Sequence, residues 1–251
     1  MIEREVDVET PDGVMNTFIT HPEESGPHPV ILFLMDAPGR REELSDMARR
    51  LGSVGYYVML PNLYYRRVRE IVADPSSETD KRAEMVAHMN SLTNAMACDD
   101  VLACMAYAFG EGDRAGDPAA RDGVVGMVGY CMSGPFVFAA AAAFPERIAA
   151  AASFHGVRLL TEALDSPHLQ AEQIRGELYF GCAETDEWAP RTMIDGLDRH
   201  LREIGSRYRI EWYPGTAHGF VFPGREGVYH QASAERHWER LFDLFGRALK
   251  A

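Results

Sequence analysis

An apolar run that leads into a small-x-Cys-x-small pattern limits the folds open to this chain more than any other feature. The run covers residues 124–128 and continues into Gly-Tyr-Cys-Met-Ser-Gly at 129–134. Where a strand turns sharply into a helix, the residue at the turn takes a strained backbone conformation and its close neighbours must be small. The pattern therefore predicts a strand, a nucleophile at Cys131 and a helix that starts at once. Serine is the usual nucleophile at such a turn, so a cysteine here indicates thiol-dependent chemistry.

Length and charge narrow the class of protein. A chain of 251 residues suits one sizeable α/β domain, and we predict a single domain over residues 1–251. The hydrophobic content of 46% is enough to fill a core. The net charge of -13 argues against binding to nucleic acid or to an anionic membrane surface.

The four cysteines predict free thiols rather than a disulfide framework or a metal site. None forms a Cys-x-x-Cys pair or lies beside a histidine at metal-ligand spacing. We expect Cys98, Cys104 and Cys182 to be inert buried residues. The first residues are charged and lack the apolar stretch of a secretory leader. No apolar run approaches the roughly 20 residues of a membrane span. These features predict a cytoplasmic location and no contact with a membrane.

Apolar periodicity predicts an α/β fold. The predicted strands cover residues 2–9, 14–20, 30–35, 56–60, 124–130, 148–154, 178–181 and 209–213. The predicted helices cover 42–54, 82–109, 132–144, 190–204 and 233–249, with irregular chain over 64–80 and a loop over 110–123. Strands alternate with helices from residue 30 onward, so we expect a mostly parallel central sheet with helices on both faces. The first two strands form an antiparallel hairpin before it.

Three candidate catalytic residues follow three predicted strands in the order nucleophile, acid, histidine. They are Cys131, Asp186 and His218. This is the chain order of the triad in α/β-hydrolases, and the carboxyl ends of parallel strands meet at one edge of the sheet. Glu184 lies in the same acidic loop as Asp186 and is the alternative acid.

The order assigns a role to each group. Cys131 attacks an acyl carbon as a thiolate, which the following helix N-terminus and a histidine partner favour. His218 takes the thiol proton and later protonates the leaving group, while Asp186 orients the imidazole. The backbone N–H groups of Met132 and Ala37 are the expected oxyanion donors.

These residues resemble the dienelactone hydrolase (carboxymethylenebutenolidase) family over nearly the whole chain. The segment at 129–134 is similar to the family's Gly-x-Cys-x-Gly-Gly, and Pro-Asn-Leu-Tyr at 61–64 is similar to its Pro-Asp-Leu-Tyr. The resemblance implies an α/β-hydrolase fold and hydrolysis of an ester or lactone, with no metal and no organic cofactor. Asp36 stands where the family has a glutamate that helps to activate the thiol, and the resemblance implies the same role for Asp36.

The chain departs from the family in the residues expected to hold substrate. Family members use an arginine four residues after the triad histidine, where this chain has Phe222. A second family arginine lies in a helical segment, where Lys81 and Arg82 keep a basic residue. Further candidates for substrate binding are aromatic or lie at the end of a strand: Tyr64, Trp188 and His155. His155 is expected either to line the pocket or to pack in the core.

Two alternatives to a dienelactone hydrolase-like activity stay open. One is a broader carboxylesterase or thioesterase that acts on a neutral substrate. The other is a silent α/β-hydrolase fold that binds a small ligand or senses oxidants through Cys131. In each case the expected partner is a small molecule, and the chain is a monomer or a small homo-oligomer.

Overall fold

The computed structural model describes residues 1–70 and 79–250. The fold class is α/β, as predicted: mostly parallel strands form a large sheet that helices flank, and an antiparallel pair of strands opens the chain. The chain forms two compact units, residues 1–125 and 126–251. The assignment of one domain to residues 1–251 stays a prediction.

The first unit is built on four strands in the order β1-β2-β4-β3. They are β1 (Ile2–Thr10), β2 (Gly13–His21), β3 (His28–Leu34) and β4 (Tyr57–Pro61). β1 and β2 pair antiparallel and confirm the predicted hairpin, and β2 also runs antiparallel to β4. β3 is parallel to β4 and all of its residues are buried, as expected of an apolar run covered on both faces. Helix α1 (Glu42–Gly52) packs its apolar side against β2 and β4.

The predicted single helix over 82–109 is wrong, because two helices occupy this part of the chain. Helix α2 (Thr79–Asn90) and helix α3 (Asn94–Phe109) are separated by a short turn. The Thr93 hydroxyl accepts a hydrogen bond from the Met96 N–H at 3.2 Å and caps the start of α3. A capping threonine accepts a hydrogen bond from a backbone N–H in the first turn of a helix, so a new helix can start there even where the apolar pattern continues.

The predicted loop over 110–123 is also wrong. It contains two short paired strands, β5 (Gly110–Glu111) and β6 (Arg114–Ala115), and strand β7 (Ala120–Tyr130) begins before the apolar run. The irregular segment predicted over 64–80 continues to residue 70 as turns, residues 71–78 lie outside the described residues, and α2 already begins at Thr79.

The second unit contains the three strand ends that carry the predicted triad. β7 crosses into it, and the order of its strands is β7-β8-β9-β10. The elements after β7 are a 3-10 helix (Cys131–Ser133), α4 (Gly134–Ala143), β8 (Ile148–Phe154), a 3-10 helix (Pro167–Gln173), β9 (Glu177–Thr185), α5 (Arg191–Glu203), β10 (Tyr208–Ala217) and α6 (Gln231–Leu249). β8, β9 and β10 are parallel. β9 and β10 run further than predicted, to Thr185 and Ala217, and these two residues are paired across the strands.

Of the helices among the described residues, none is both long enough and apolar enough to cross a membrane.

Candidate active site

Cys131 lies at the sharp turn between β7 and α4. Its φ is 53°, in the left-handed region that non-glycine residues adopt only under local constraint. The predicted strain at this position is therefore confirmed. A Cβ on Gly129 would come within 2.5 Å of the Ser133 carbonyl oxygen, and one on Gly134 within 2.5 Å of the Gly156 Cα. Small residues are needed on both sides of Cys131 because backbone passes so close to them.

His218 and Asp186 meet because their strands end side by side. Asp186 directly follows Thr185 at the end of β9, and His218 directly follows Ala217 at the end of β10. The His218 Nδ1 donates to Asp186 Oδ2 at 2.8 Å. The other Asp186 oxygen, Oδ1, accepts from the backbone N–H groups of Trp188 (2.9 Å) and Ala189 (3.0 Å). Asp186 is thus fixed by its own loop and presents its second oxygen to the imidazole.

Glu184, the alternative acid, has a different partner. Its Oε2 accepts from the Gly215 N–H at 2.7 Å, and this bond ties the last part of β10, just before His218, to the end of β9. Asp186 therefore contacts the histidine, while Glu184 holds the backbone that carries it.

Cys131 is the second predicted triad residue that interacts with His218. Burial acts to lower the pKa of His218, but hydrogen bonds to Asp186 and Cys131 and the charges of these two groups outweigh burial and raise the pKa to about 9. A histidine held between two potential anions favours the imidazolium form. The structure thus brings Asp186 into hydrogen-bonding distance of His218 and places Cys131 close enough to raise the pKa of the same imidazole.

The other three cysteines lie in surroundings that disfavour a thiolate. All four thiols are free. Burial raises the pKa of Cys98 to about 11 and that of Cys182 to about 12, and it raises the pKa of Cys104 further. These three thiols stay protonated at neutral pH and are poor nucleophiles.

Asp36, in the first unit, is fully buried and forms an ion pair that the sequence did not predict. The Arg41 Nη1 donates to Asp36 Oδ1 at 2.5 Å, and Nη2 lies 3.4 Å from Oδ2. Arg41 also donates to Glu43. Burial acts to lower the pKa of Arg41, but Asp36 and Glu43 raise it overall. No sequence motif predicts the pairing of Arg41 with Asp36, and Arg41 lies in the loop before α1. The role of Asp36 in thiol activation stays a prediction.

Tyr64 supports the loop that carries Ala37. It is almost completely buried, and its hydroxyl donates to the Ala37 carbonyl oxygen at 2.8 Å. The Tyr64 N–H donates to Asn62 Oδ1 at 3.0 Å, and the Asn62 amide donates to Asn16 and to backbone carbonyls of the following turn. The Pro-Asn-Leu-Tyr segment therefore fixes backbone around Ala37. The Ala37 N–H as an oxyanion donor and Tyr64 as a substrate contact stay predictions.

The remaining candidates differ in exposure. Lys81 and Arg82 are exposed on α2. Trp188 is 50% exposed and lies two residues after Asp186. Phe222 is fully buried, and the Arg225 guanidinium lies 4.7 Å from the centre of its ring. Their roles in substrate binding stay predictions.

The fold and the site together define an α/β-hydrolase: a strained nucleophile at a strand-helix turn, with an acid and a histidine at later strand ends. The profile of the dienelactone hydrolase family matches residues 15–249. The chain therefore belongs to the dienelactone hydrolase family and is a hydrolase that acts on ester or lactone bonds.

Individual relatives match this chain in sequence and in structure. A protein of Methylorubrum extorquens assigned as a carboxymethylenebutenolidase is 27% identical over 249 residues, which cover 98% of this chain and 81% of that protein. A relative from Escherichia coli K12 with the same assignment is 26% identical and covers 92% of this chain and 82% of its own. A Klebsiella pneumoniae structure assigned as a dienelactone hydrolase superposes with a TM-score of 0.81 at 24% identity, over 98% of both chains. A dienelactone hydrolase-like promiscuous phosphotriesterase from metagenomic libraries gives a TM-score of 0.76 at 20% identity, over 99% and 98%. The two structures show the shared fold.

Proposed function

We propose that this protein hydrolyses a carboxylic ester or lactone with Cys131 as the nucleophile, His218 as the acid and base, and Asp186 as the group that orients His218. The hydrogen-bonded series from Cys131 through His218 to Asp186 carries the proposal. Support also comes from the left-handed backbone at Cys131, which presents one side chain at the head of a helix.

The reaction then runs in two steps with an acyl-enzyme between them. His218 takes the thiol proton, and the Cys131 sulfur forms a bond to the acyl carbon. The carbonyl oxygen becomes an oxyanion that the N–H of Met132, the residue after the nucleophile, is suited to stabilise. The oxyanion collapses, the alkoxide leaves with the proton from His218, and a thioester remains. Water loses a proton to His218 and attacks the thioester, which releases the acid and returns the proton to the sulfur.

The charge of the substrate depends on residues near His218. Phe222 replaces the family arginine and is buried, which favours a neutral ester. The Arg225 side chain, however, packs against Gly219, the residue after His218, so closely that a Cβ on Gly219 would overlap it. A guanidinium beside the catalytic histidine supports an anionic lactone. Trp188 adds a half-exposed aromatic surface next to Asp186.

The small-molecule partner follows from this activity. A cytoplasmic location remains part of the proposal and is supported by four free thiols, because disulfides form mainly in oxidising compartments.

The test is hydrolysis of dienelactone and of p-nitrophenyl esters of increasing chain length. The wild type is compared with Cys131→Ala and with Cys98→Ala, a control that removes a half-buried thiol of the first unit. We expect Cys131→Ala to lose at least about 1000-fold in kcat/KM and Cys98→Ala to match the wild type. Dienelactone turnover would assign the anionic substrate, and turnover of esters alone would assign a neutral one. Full activity of Cys131→Ala would overturn the proposal.

A further inference from the structure

His155 directly follows strand β8 and has a backbone conformation as unusual as that of Cys131. Its φ is 39°, again in the left-handed region. The His155 N–H donates to the Gly181 carbonyl oxygen at 2.7 Å, and two residues later the Val157 N–H donates to the Cys131 carbonyl oxygen at 3.1 Å. The turn that begins at His155 is therefore bonded directly to the turn that carries the proposed nucleophile.

The His155 side chain is buried without a hydrogen-bond partner. Its exposed fraction is 1%, and across residues 1–70 and 79–250 neither Nδ1 nor Nε2 has a partner. Buried polar atoms nearly always have partners, because leaving them unpaired destabilises the fold. An apolar side chain would fill this space without that cost. Packing alone does not explain why this position holds a histidine.

His237 lies in the same cluster of rings and is an example of a buried histidine with hydrogen-bonded nitrogens. It is fully buried, its Nε2 pairs with the Tyr130 hydroxyl at 2.8 Å and its Nδ1 with the Ala234 carbonyl oxygen at 3.1 Å. Both ring nitrogens of His237 are thus occupied, and its tautomer is fixed. His155 lacks both of these bonds.

The one ring of the candidate triad lies directly against His155. The centres of the His155 and His218 rings are 4.8 Å apart, and their planes meet at 64°. The rings of Phe220, Phe222 and Tyr130 lie further away, at 5.9, 5.6 and 6.0 Å. His155 is thus buried and lies edge-on against His218.

Burial and the surrounding charges keep His155 neutral. Burial lowers its pKa well below the ordinary value, and the neighbouring His218, Arg225 and His237 lower it further. A neutral imidazole carries a lone pair and a permanent dipole. Because neither ring nitrogen of His155 has a hydrogen-bond partner among the described residues, this dipole is available to the positive charge on His218. Dipoles aimed at a developing charge in a water-free place are more effective than those in water.

We propose that His155 is a positioning residue for His218: its neutral ring holds the His218 imidazole edge-on in the plane that both Asp186 and Cys131 require and stabilises its protonated form. This inference rests on the proposed function. It explains the unpaired nitrogens, since they serve an electrostatic purpose that a phenyl ring does not.

Two variants test the proposal. His155→Phe keeps a ring of similar shape and removes the nitrogens, and His155→Asn keeps a residue type that tolerates the left-handed backbone. We expect kcat to fall about tenfold in both with little change in KM, because only the placement of His218 is altered. We also expect the His218 titration, followed by NMR, to move about half a pH unit lower, because both variants remove the imidazole nitrogens whose dipole stabilises the protonated form.

The matched control is His237→Phe, which removes a buried histidine of the same cluster that does not contact His218 through a hydrogen bond. It should lower the Tm and leave the His218 titration in place. Variants of His155 that lower the Tm without moving the titration would show a structural role and overturn the inference. An unchanged kcat and titration in both His155 variants would overturn it as well. Failure of the proposed function is seen separately, as turnover that survives Cys131→Ala.

Discussion

Two buried carboxylates, one in each unit, have opposite partners. The side chains of Asp186 and Asp36 are 1% and 0% exposed, and each forms an ion pair with a basic side chain close to the end of a strand. Asp186 pairs with His218, whose pKa of about 9 lets its proton leave within the pH range in which proteins fold. Asp36 pairs with Arg41, which stays charged throughout that range. The same burial therefore supports proton transfer in one place and a permanent ion pair in the other.

The difference teaches that the partner, rather than burial, decides what a carboxylate contributes. Asp186 stabilises the positive charge that His218 gains and loses during the proposed reaction. Asp36 compensates a charge that never leaves, so its pair with Arg41 should contribute to stability, in addition to the predicted role of Asp36 in thiol activation. Variants of the two residues should separate these effects.

The largest effect is expected from Asp186→Asn. The Asn carbonyl oxygen can still accept from Trp188 and Ala189, but its NH₂ group then faces His218 and forces the wrong tautomer. We expect kcat to fall by about 1000-fold to 10,000-fold, as in other triads that lose the acid in this way, with the Tm nearly unchanged. Steady-state kinetics and thermal melting measure both quantities. A fall of less than about threefold would remove Asp186 from the mechanism.

A smaller effect, of a different kind, is expected from Asp36→Asn. The largely buried Arg41, whose side chain is 14% exposed, loses the counter-charge of Asp36 and keeps that of Glu43. We expect the free energy of unfolding to drop by about 3 kcal/mol, since a buried charge is left without its partner. Urea unfolding measures this loss.

The double variant Asp36→Asn/Arg41→Met is the control for that loss. It removes both charges and should recover much of the stability of the wild type. If the single variant unfolds at the wild-type urea concentration, the ion pair contributes nothing and the comparison with Asp186 fails.

Much of the site was predictable because it depends on local sequence rules. The small residues around Cys131 are required by close backbone contacts, and such contacts leave a motif. Asp186 and His218 followed from chain order, although the pairing that brings them together, Thr185 with Ala217, lies beyond the strands that periodicity predicted. That extension includes an irregularity between Tyr213 and Ala217, which an alternation pattern does not reveal.

Other features were out of reach because they depend on contacts between distant segments or on a single cap. Arg41 is one arginine among many until the fold places it on Asp36. The contact between His155 and His218 joins two strand ends more than 60 residues apart. The break before α3 depends on the hydroxyl of Thr93, and the apolar periodicity of the sequence continues across it.

The most direct test of the account is an NMR titration of His218 in the wild type, in Asp186→Asn and in Cys131→Ala. If the three residues form one proton-transfer series, the wild-type midpoint lies near pH 9 and falls in each variant, because each removes a group that holds the proton on His218. A midpoint near 6.5, the ordinary value for histidine, that is the same in all three proteins would contradict the account.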